Sequence, residues 1–285
     1  MGKIQWFPGH MAKARREVIE KLKLVDIVIE VVDARLPKSS QNPMLDKIIQ
    51  QKPRLVLLNK ADLADPEETK KWQAHFEAQG MACLAINAQE GKGIKQITPT
   101  CEKVLADKIQ RRREKGMKDK AIRAMIIGIP NVGKSTVLNR LIRKNVAKTG
   151  NKPGVTKAQQ WLKIDKKLEL LDTPGILWPK FEEEETGYKL ALTGAIKDDL
   201  LHFDDIALFG LEFFDRHYHE ALWKRYAFIP EEDRTLPYPE LLMLMTEKRG
   251  FRDDYERMSK QFIQDVRTNK LGRYTLDWVE ENEND

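Results

Sequence analysis

Cysteine is scarce: Cys83 and Cys101 are the only two in 285 residues. They lack metal-site spacing and read as buried thiols rather than a disulfide. No apolar run approaches the roughly 20 residues that a membrane-spanning helix requires. The first residues lack the basic, apolar and small-residue pattern of a secretory leader. These absences argue against disulfide-stapled secreted domains and membrane proteins, and lead us to expect a cytoplasmic protein with no membrane partner; a monomer is expected as well.

What is present is an ordinary globular composition, 41% apolar and 33% charged, with an uneven division of charge. Lys and Arg exceed Asp and Glu by 17 over residues 1–180, whereas residues 181–285 carry −11, and together these give the net +6. The basic part suits a polyanion such as RNA, and the acidic part argues against a surface that is basic throughout. A domain boundary is therefore expected near residue 180, giving domains 1–180 and 181–285.

The central stretch is Gly128-Ile129-Pro130-Asn131-Val132-Gly133-Lys134-Ser135, a match to G-x-x-x-x-G-K-[ST]. The apolar run 124–127 before it reads as a buried strand and 136–143 after it as a helix, the context a phosphate-binding loop requires. Backbone N–H groups from Asn131, Val132, Gly133, Lys134, Ser135 and Thr136 can then turn around phosphate oxygens, aided by the helix N-terminus. Lys134 would reach the β- and γ-phosphates, and Ser135 a magnesium ion.

Around this loop, periodicity predicts an amphipathic basic helix over 11–25 and strands at 27–32, 54–58 and 83–86. Helices are predicted at 67–79 and 94–113, with strands at 161–164 and 168–171. Strands alternating with helices imply a doubly wound α/β sheet. Beyond residue 181 the pattern is helical, at 188–201, 206–226, 239–249 and 255–268.

Three further motifs fall at strand ends. Asn59-Lys60-x-Asp62 suits guanine: Asp62 can accept from N1–H and the 2-amino group, Asn59 can donate toward the other edge, and the Lys60 stem can cover the ring. Adenine would leave that carboxylate unpaired. Asn87-Ala88 stands where backbone contact to guanine O6 is expected. Asp172-x-x-Gly175 can hold magnesium through Asp172 and donate the Gly175 N–H to the γ-phosphate, with Thr156 as a second hydroxyl ligand. Thr156 and Gly175 would mark switch loops whose contacts are lost on hydrolysis.

These motifs resemble those of translation-factor-related GTPases, but with N-K-x-D ahead of the phosphate loop, as in a circularly permuted GTPase. Switch II then leads directly into the C-terminal helices, so nucleotide state is expected to bias the second domain. The segments 6–14, Val32-Asp33-Ala34-Arg35, Asn42-Pro43, 128–135, 171–179 and Asp265-x-Arg267-Thr268-x-Lys270-x-Gly272-Arg273 are similar to the RbgA/YlqF family of ribosome biogenesis GTPases. That resemblance implies a circularly permuted P-loop GTPase domain with a mostly parallel sheet, followed by an all-α domain that meets RNA. It also implies GTP and GDP as ligands, magnesium as cofactor, and a precursor of the large ribosomal subunit, rRNA and ribosomal proteins, as partner.

Ile176 cannot orient a water as a glutamine would, so hydrolysis is expected to be slow alone and completed by something else, which the family resemblance implies is the large subunit. His10 is the candidate for orienting the water, beside Lys134 and Gly175 on the γ-phosphate. Asn131 resembles the asparagine with which potassium-activated GTPases hold K+. Candidate RNA contacts are Lys108, Arg111, Arg112, Arg113, Lys115, Lys118 and Lys120, then Arg143, Lys144, Lys148, Lys152 and Lys157. Arg267, Lys270 and Arg273 are weaker ones. The rival reading is a GTP-dependent RNA-binding scaffold with incidental hydrolysis; a nucleoside kinase would have no use for Asn59-x-x-Asp62.

Overall fold

β1, Ile27–Asp33, is buried at all seven positions, as an apolar strand covered on both faces should be. A computed structural model describes residues 16–49, 52–142, 161–172, 183–196 and 202–279. The chain divides into two compact units, one holding the described residues up to 172 together with 277–279, the other holding 183–276.

In the first unit, β1 is joined by β2 (Arg54–Asn59), β3 (Ala82–Ala85), β4 (Ile122–Ile127), β5 (Leu162–Lys163) and β6 (Leu168–Asp172). The order is β3-β2-β1-β4-β6-β5, and every pairing is parallel except that of the short β5 with β6. Renumbered from the phosphate-loop strand β4, the same sheet reads 6-5-4-1-3-2. It is one doubly wound sheet growing outward from β4 and β1, whose chain order has been rotated. In register, Asp33 lies opposite Asn59 and Ile126 opposite Asp172, so the carboxyl ends of the strands gather at one edge. Ligands of open α/β sheets bind at that edge, where the winding reverses.

The helices follow from local chemistry. Residues 16–22 are helical, α1, and Val18 packs with Val25, Val28, Ile49, Met125, Ile127 and Leu171. The sequence patterns did not mark α2, Pro43–Ile49; the Asn42 side chain caps it by accepting from Met44 N at 3.0 Å, with Pro43 in its first turn. α3 (Pro66–Ala78) is capped by Asp65 and lays Trp72 and Phe76 on Val56, Leu58 and Cys83. The single helix expected over 94–113 is instead a 3-10 turn, Ile94–Gln96, then α4 (Ile97–Val104) and α5 (Ala106–Glu114). The buried Leu105 leaves helical geometry between the last two (φ −101°, ψ 13°). α6 is Lys134–Ile142.

The second unit comprises α7 (Glu184–Leu192), α8 (Phe203–His217), α9 (His219–Arg225), α10 (Tyr238–Lys248) and α11 (Tyr255–Arg267). Two expected helices are shorter than periodicity suggested. The one drawn to 201 ends at Leu192, where Arg267 donates to the carbonyls of Ala191 (2.7 Å) and Leu192 (3.3 Å). The one drawn over 206–226 breaks at Tyr218, whose hydroxyl accepts from Thr275 N at 2.9 Å. Phe214, Tyr226, Phe262 and Tyr274 are fully buried at the centre. Beside them, buried Asp265 accepts from Arg225 Nε (2.7 Å), Gln261 (2.8 Å) and Lys270 (3.0 Å). Arg267 and Lys270, weaker candidates for RNA contact, thus serve the fold of this unit. The tail is the other departure: from Asp277 the chain belongs to the first unit again, which a division by charge could not show.

Candidate nucleotide site

The loop after β4 is shaped by two glycines. A Cβ on Gly128 would stand 2.7 Å from the Val31 carbonyl oxygen and 3.0 Å from Val132 Cγ2, because the loop leaves β4 tight against β1. Gly133, at φ +93°, is pressed against Asn59: a Cβ there would lie 2.3 Å from Asn59 Nδ2. Between them Asn131 takes the left-handed conformation (φ 65°), which asparagine tolerates better than most residues. Val132 is fully buried, and Ser135 and Thr136 open α6 with exposed side chains. The Gly133 carbonyl already accepts from Val137 N at 3.0 Å, so the loop passes directly into the helix.

Asn59 joins the base motif to this loop. Its Nδ2 donates to the Val132 carbonyl at 2.8 Å, and its Oδ1 accepts from Ala88 N at 3.0 Å. Three separately predicted segments, N-K-x-D, Asn87-Ala88 and the phosphate loop, therefore meet on one buried amide. Asn87 is held in turn by an isolated bridge to Lys92, and its side chain accepts from Glu90 N. Arg140 of α6 reaches back to the Ala88 carbonyl at 3.0 Å and also to Gln89 O. Asp62, three residues on from Asn59, is exposed.

Lys60 adopts φ 61° and spans the same gap, donating to Asn131 O at 2.8 Å and to Asp33 Oδ2 at 2.9 Å. Asp33, at the end of β1 and nearly inaccessible, also takes both Arg35 Nε (3.0 Å) and Nη2 (2.8 Å). Burial pushes its carboxyl upward, but Arg35 and Lys60 outweigh that and hold it well below the ordinary carboxylate range. Asp33, Arg35 and Arg140 were not assigned roles from the sequence. The signal was an acid closing an apolar strand with an arginine two residues on; spacing alone did not tie it to Lys60.

His10, Thr156 and Gly175 lie outside the described residues, as do Arg143, Lys144, Lys148, Lys152 and Lys157, and so does the side chain of Asp172. The Asp172 backbone closes β6 beside the loop-bearing strand. Among the described residues, no group of three or more His, Cys, Asp or Glu could hold a metal ion by itself. Nor is any described helix long and apolar enough to cross a membrane.

This sheet, with a phosphate loop after one central strand and N-K-x-D ahead of it in the chain, defines a circularly permuted P-loop GTPase, here followed by a helical unit. Residues 123–226 match the family model "50S ribosome-binding GTPase", which begins at the phosphate-loop strand and so leaves N-K-x-D upstream of the match. Ribosome biogenesis GTPase A of Bacillus pumilus is 55% identical over 281 residues, covering 96% of this chain and 98% of its own length. Its counterpart in Priestia megaterium is also 55% identical, covering 96% of each chain. A GDP-bound YlqF structure superposes with a TM-score of 0.66 at 28% identity, covering 93% of this chain and all of the other. The chain belongs to the ribosome biogenesis GTPase A family. It hydrolyses GTP to GDP and phosphate in the service of ribosome biogenesis.

Proposed function

We propose that the protein is a cytoplasmic, monomeric switch for late assembly of the large (50S) ribosomal subunit. It binds the precursor particle, rRNA and ribosomal proteins, in the GTP state, hydrolyses slowly until the large subunit stimulates it, and leaves afterwards. The observation that carries this reading is the Asn59 side chain, which ties the guanine motif to the phosphate loop through Val132 and to the Asn87-Ala88 segment through Ala88. A site whose base-reading and phosphate-reading halves share one hydrogen-bonded residue is suited to switching.

In this reading Asn59, Lys60 and Asp62 hold the base with Asn87 and Ala88, and Asn131 to Thr136 surround the phosphates. Lys134 and the Gly175 N–H stabilise the γ-phosphate. Magnesium fits the donor set: Ser135 is exposed at the start of α6, with Thr156 and Asp172 as its partners and phosphate oxygens completing the shell. When bound, the ion neutralises charge developing on the phosphates. In the same reading Asn131 supplies a K+ ligand, and His10 orients the attacking water. Binding of the particle should weaken steeply with salt.

The test is GTP turnover by the purified protein alone, then with mature large subunits, small subunits or free RNA, in potassium and in sodium at equal ionic strength. The expected result is strong stimulation by large subunits only, greater in potassium, and lost in His10→Ala with GTP affinity kept. Equal, weak turnover throughout would favour the GTP-dependent scaffold.

A further inference from the structure

We infer that α5 and the turn before β2 form a second, nucleotide-independent RNA-docking groove at the pole opposite the nucleotide edge. The proposal rests on the reading above, that the partner is an RNA-rich particle, and adds where and how the first unit grips it. Lys108, Arg111 and Arg112 on α5 and Lys115 at its C-cap stand at i, i+3, i+4 and i+7, so they follow one side of the helix over about 10 Å. That spacing is the one by which a helix presents a continuous face to a partner. Here the face is cationic, and α5 itself buries no residue. The stripe lines an open groove of about 520 Å³ with Pro53, Val104, Leu105 and Met117 as apolar wall and Asp107 as its one acid against four cations.

Three of the four cations in this groove are outside the salt bridges of the fold. Lys108 is anchored on Asp26 at 2.6 Å and Arg113, off the stripe, on Asp119 at 2.9 Å. Among the described residues, Arg111, Arg112 and Lys115 form no salt bridge, although Arg112 stands near enough to Asp26 to help lower its carboxyl. Basic residues in a last turn complement the helix dipole, but the dipole does not require them to share a groove.

Its position decides the nucleotide dependence. Pro53 precedes β2, and Asp26 precedes β1 and exchanges hydrogen bonds with Arg123 of β4. These are the amino ends of parallel strands, whereas Asn59 and the phosphate loop lie at the carboxyl ends, about 20 Å away along a seven-residue strand. No aromatic side chain lines the groove, so it has no surface on which to stack bases. Its chemistry fits phosphates of an RNA backbone, read without regard to sequence.

The experiment measures binding of a fluorescent 20-base-pair RNA duplex of arbitrary sequence to the full chain, loaded with GDP or with a non-hydrolysable GTP analogue, across a salt series. R111E/K115E should weaken binding at least tenfold, equally in both nucleotide states, and flatten the log-affinity against log-salt slope by about two. K118E/K120E, which changes charge equally outside the groove, should lose much less. Partner-free GTP hydrolysis should stay unchanged in both variants, reporting an intact fold. The proposal is overturned by equal losses in the two variants, by an unchanged slope, by a loss confined to the GTP-analogue state, or by polyglutamate displacing the duplex more effectively than unlabelled RNA. If the wild type binds neither duplex nor ribosomal particles in any state, the RNA-partner reading itself fails. If it binds and R111E/K115E binds equally, only the groove does.

Discussion

Gly133 and Asn59 exclude one another's alternatives: a Cβ on Gly133 would stand 2.3 Å from the Asn59 amide nitrogen, a separation no side chain tolerates. Gly133→Ala must therefore move either the loop or the amide, and the amide's two hydrogen bonds, to Val132 and Ala88, go with it. The left-handed φ of +93° adds strain. We expect GDP affinity to fall at least tenfold, about 1.4 kcal/mol, in a fluorescent-nucleotide titration. Asn59→Ala alone should also weaken binding. The double variant should lose clearly less than the sum, because removing the amide makes room for the methyl. Additive losses would show that the contact is not what makes glycine necessary.

Asp33 carries a second prediction, because Lys60 and the buried Arg35 both depend on it. Asp33→Asn takes from Arg35 the carboxylate it pairs with at a site only 3% exposed, and breaking such a pair costs about 3–5 kcal/mol. It also releases the Lys60 ammonium from one of its two holds. The expected outcome is a lower denaturation midpoint together with a raised KM for GTP and a smaller change in kcat. The pH dependence follows from the direction of the shift. A carboxyl held below its ordinary value contributes stability that is fully present above about pH 4. That contribution fades only as pH falls through the lower folded value. Midpoints of wild type and Asp33→Asn measured from pH 8 down to 3 should differ constantly above pH 5 and converge only in acid; convergence near neutrality would contradict the assignment.

How much of this was readable beforehand differs element by element. The apolar runs of β1, β2 and β4 and the loop 128–135 could be read because a strand buried on both faces and a phosphate loop each impose a local signature. The rotated sheet order could be inferred, since N-K-x-D must end a strand wherever the chain begins. The joints were harder. Leu105 and Tyr218 interrupt helices for tertiary reasons, one being buried and the other bonding to Thr275 57 residues away, and periodicity carries no mark of either. Asp33, Arg35 and Arg140 were missed as site residues because they act through partners brought near only by the sheet.

The two thiols give a chemical prediction. Burial pushes Cys83 up to about 12, helped by the charge of Glu77, and Cys101 likewise, helped by Glu102. Both are free. Since the thiolate is the reactive form, iodoacetamide at pH 8 should label neither in the native protein within hours and both at once after unfolding in urea. Rapid native labelling of one would place it on an opening segment of the first unit.

The tail offers the last prediction. The Asp277 carboxylate accepts from Lys38 N (2.9 Å), Ser39 N (2.6 Å) and Ser39 Oγ (2.7 Å), and its carbonyl takes the Trp72 indole N–H at 2.8 Å. Val279 then packs on the cluster around Trp72 and Phe76. A segment 238 positions away thus caps the turn after β1 and closes the core beside α3. Asp277→Ala leaves the Ser39 backbone donor buried without its partner, and an unsatisfied buried group costs about 1–3 kcal/mol. Losing all three carboxylate bonds should cost about 3 kcal/mol, lowering the urea midpoint by about 1 M. Asp277→Asn keeps one acceptor and should recover part of that loss. Because these contacts lie away from Asn59 and the phosphate loop, kcat for GTP should hold within about twofold at temperatures where the variant is folded. A large fall in kcat with an unchanged midpoint would mean that the tail serves the chemistry rather than the fold.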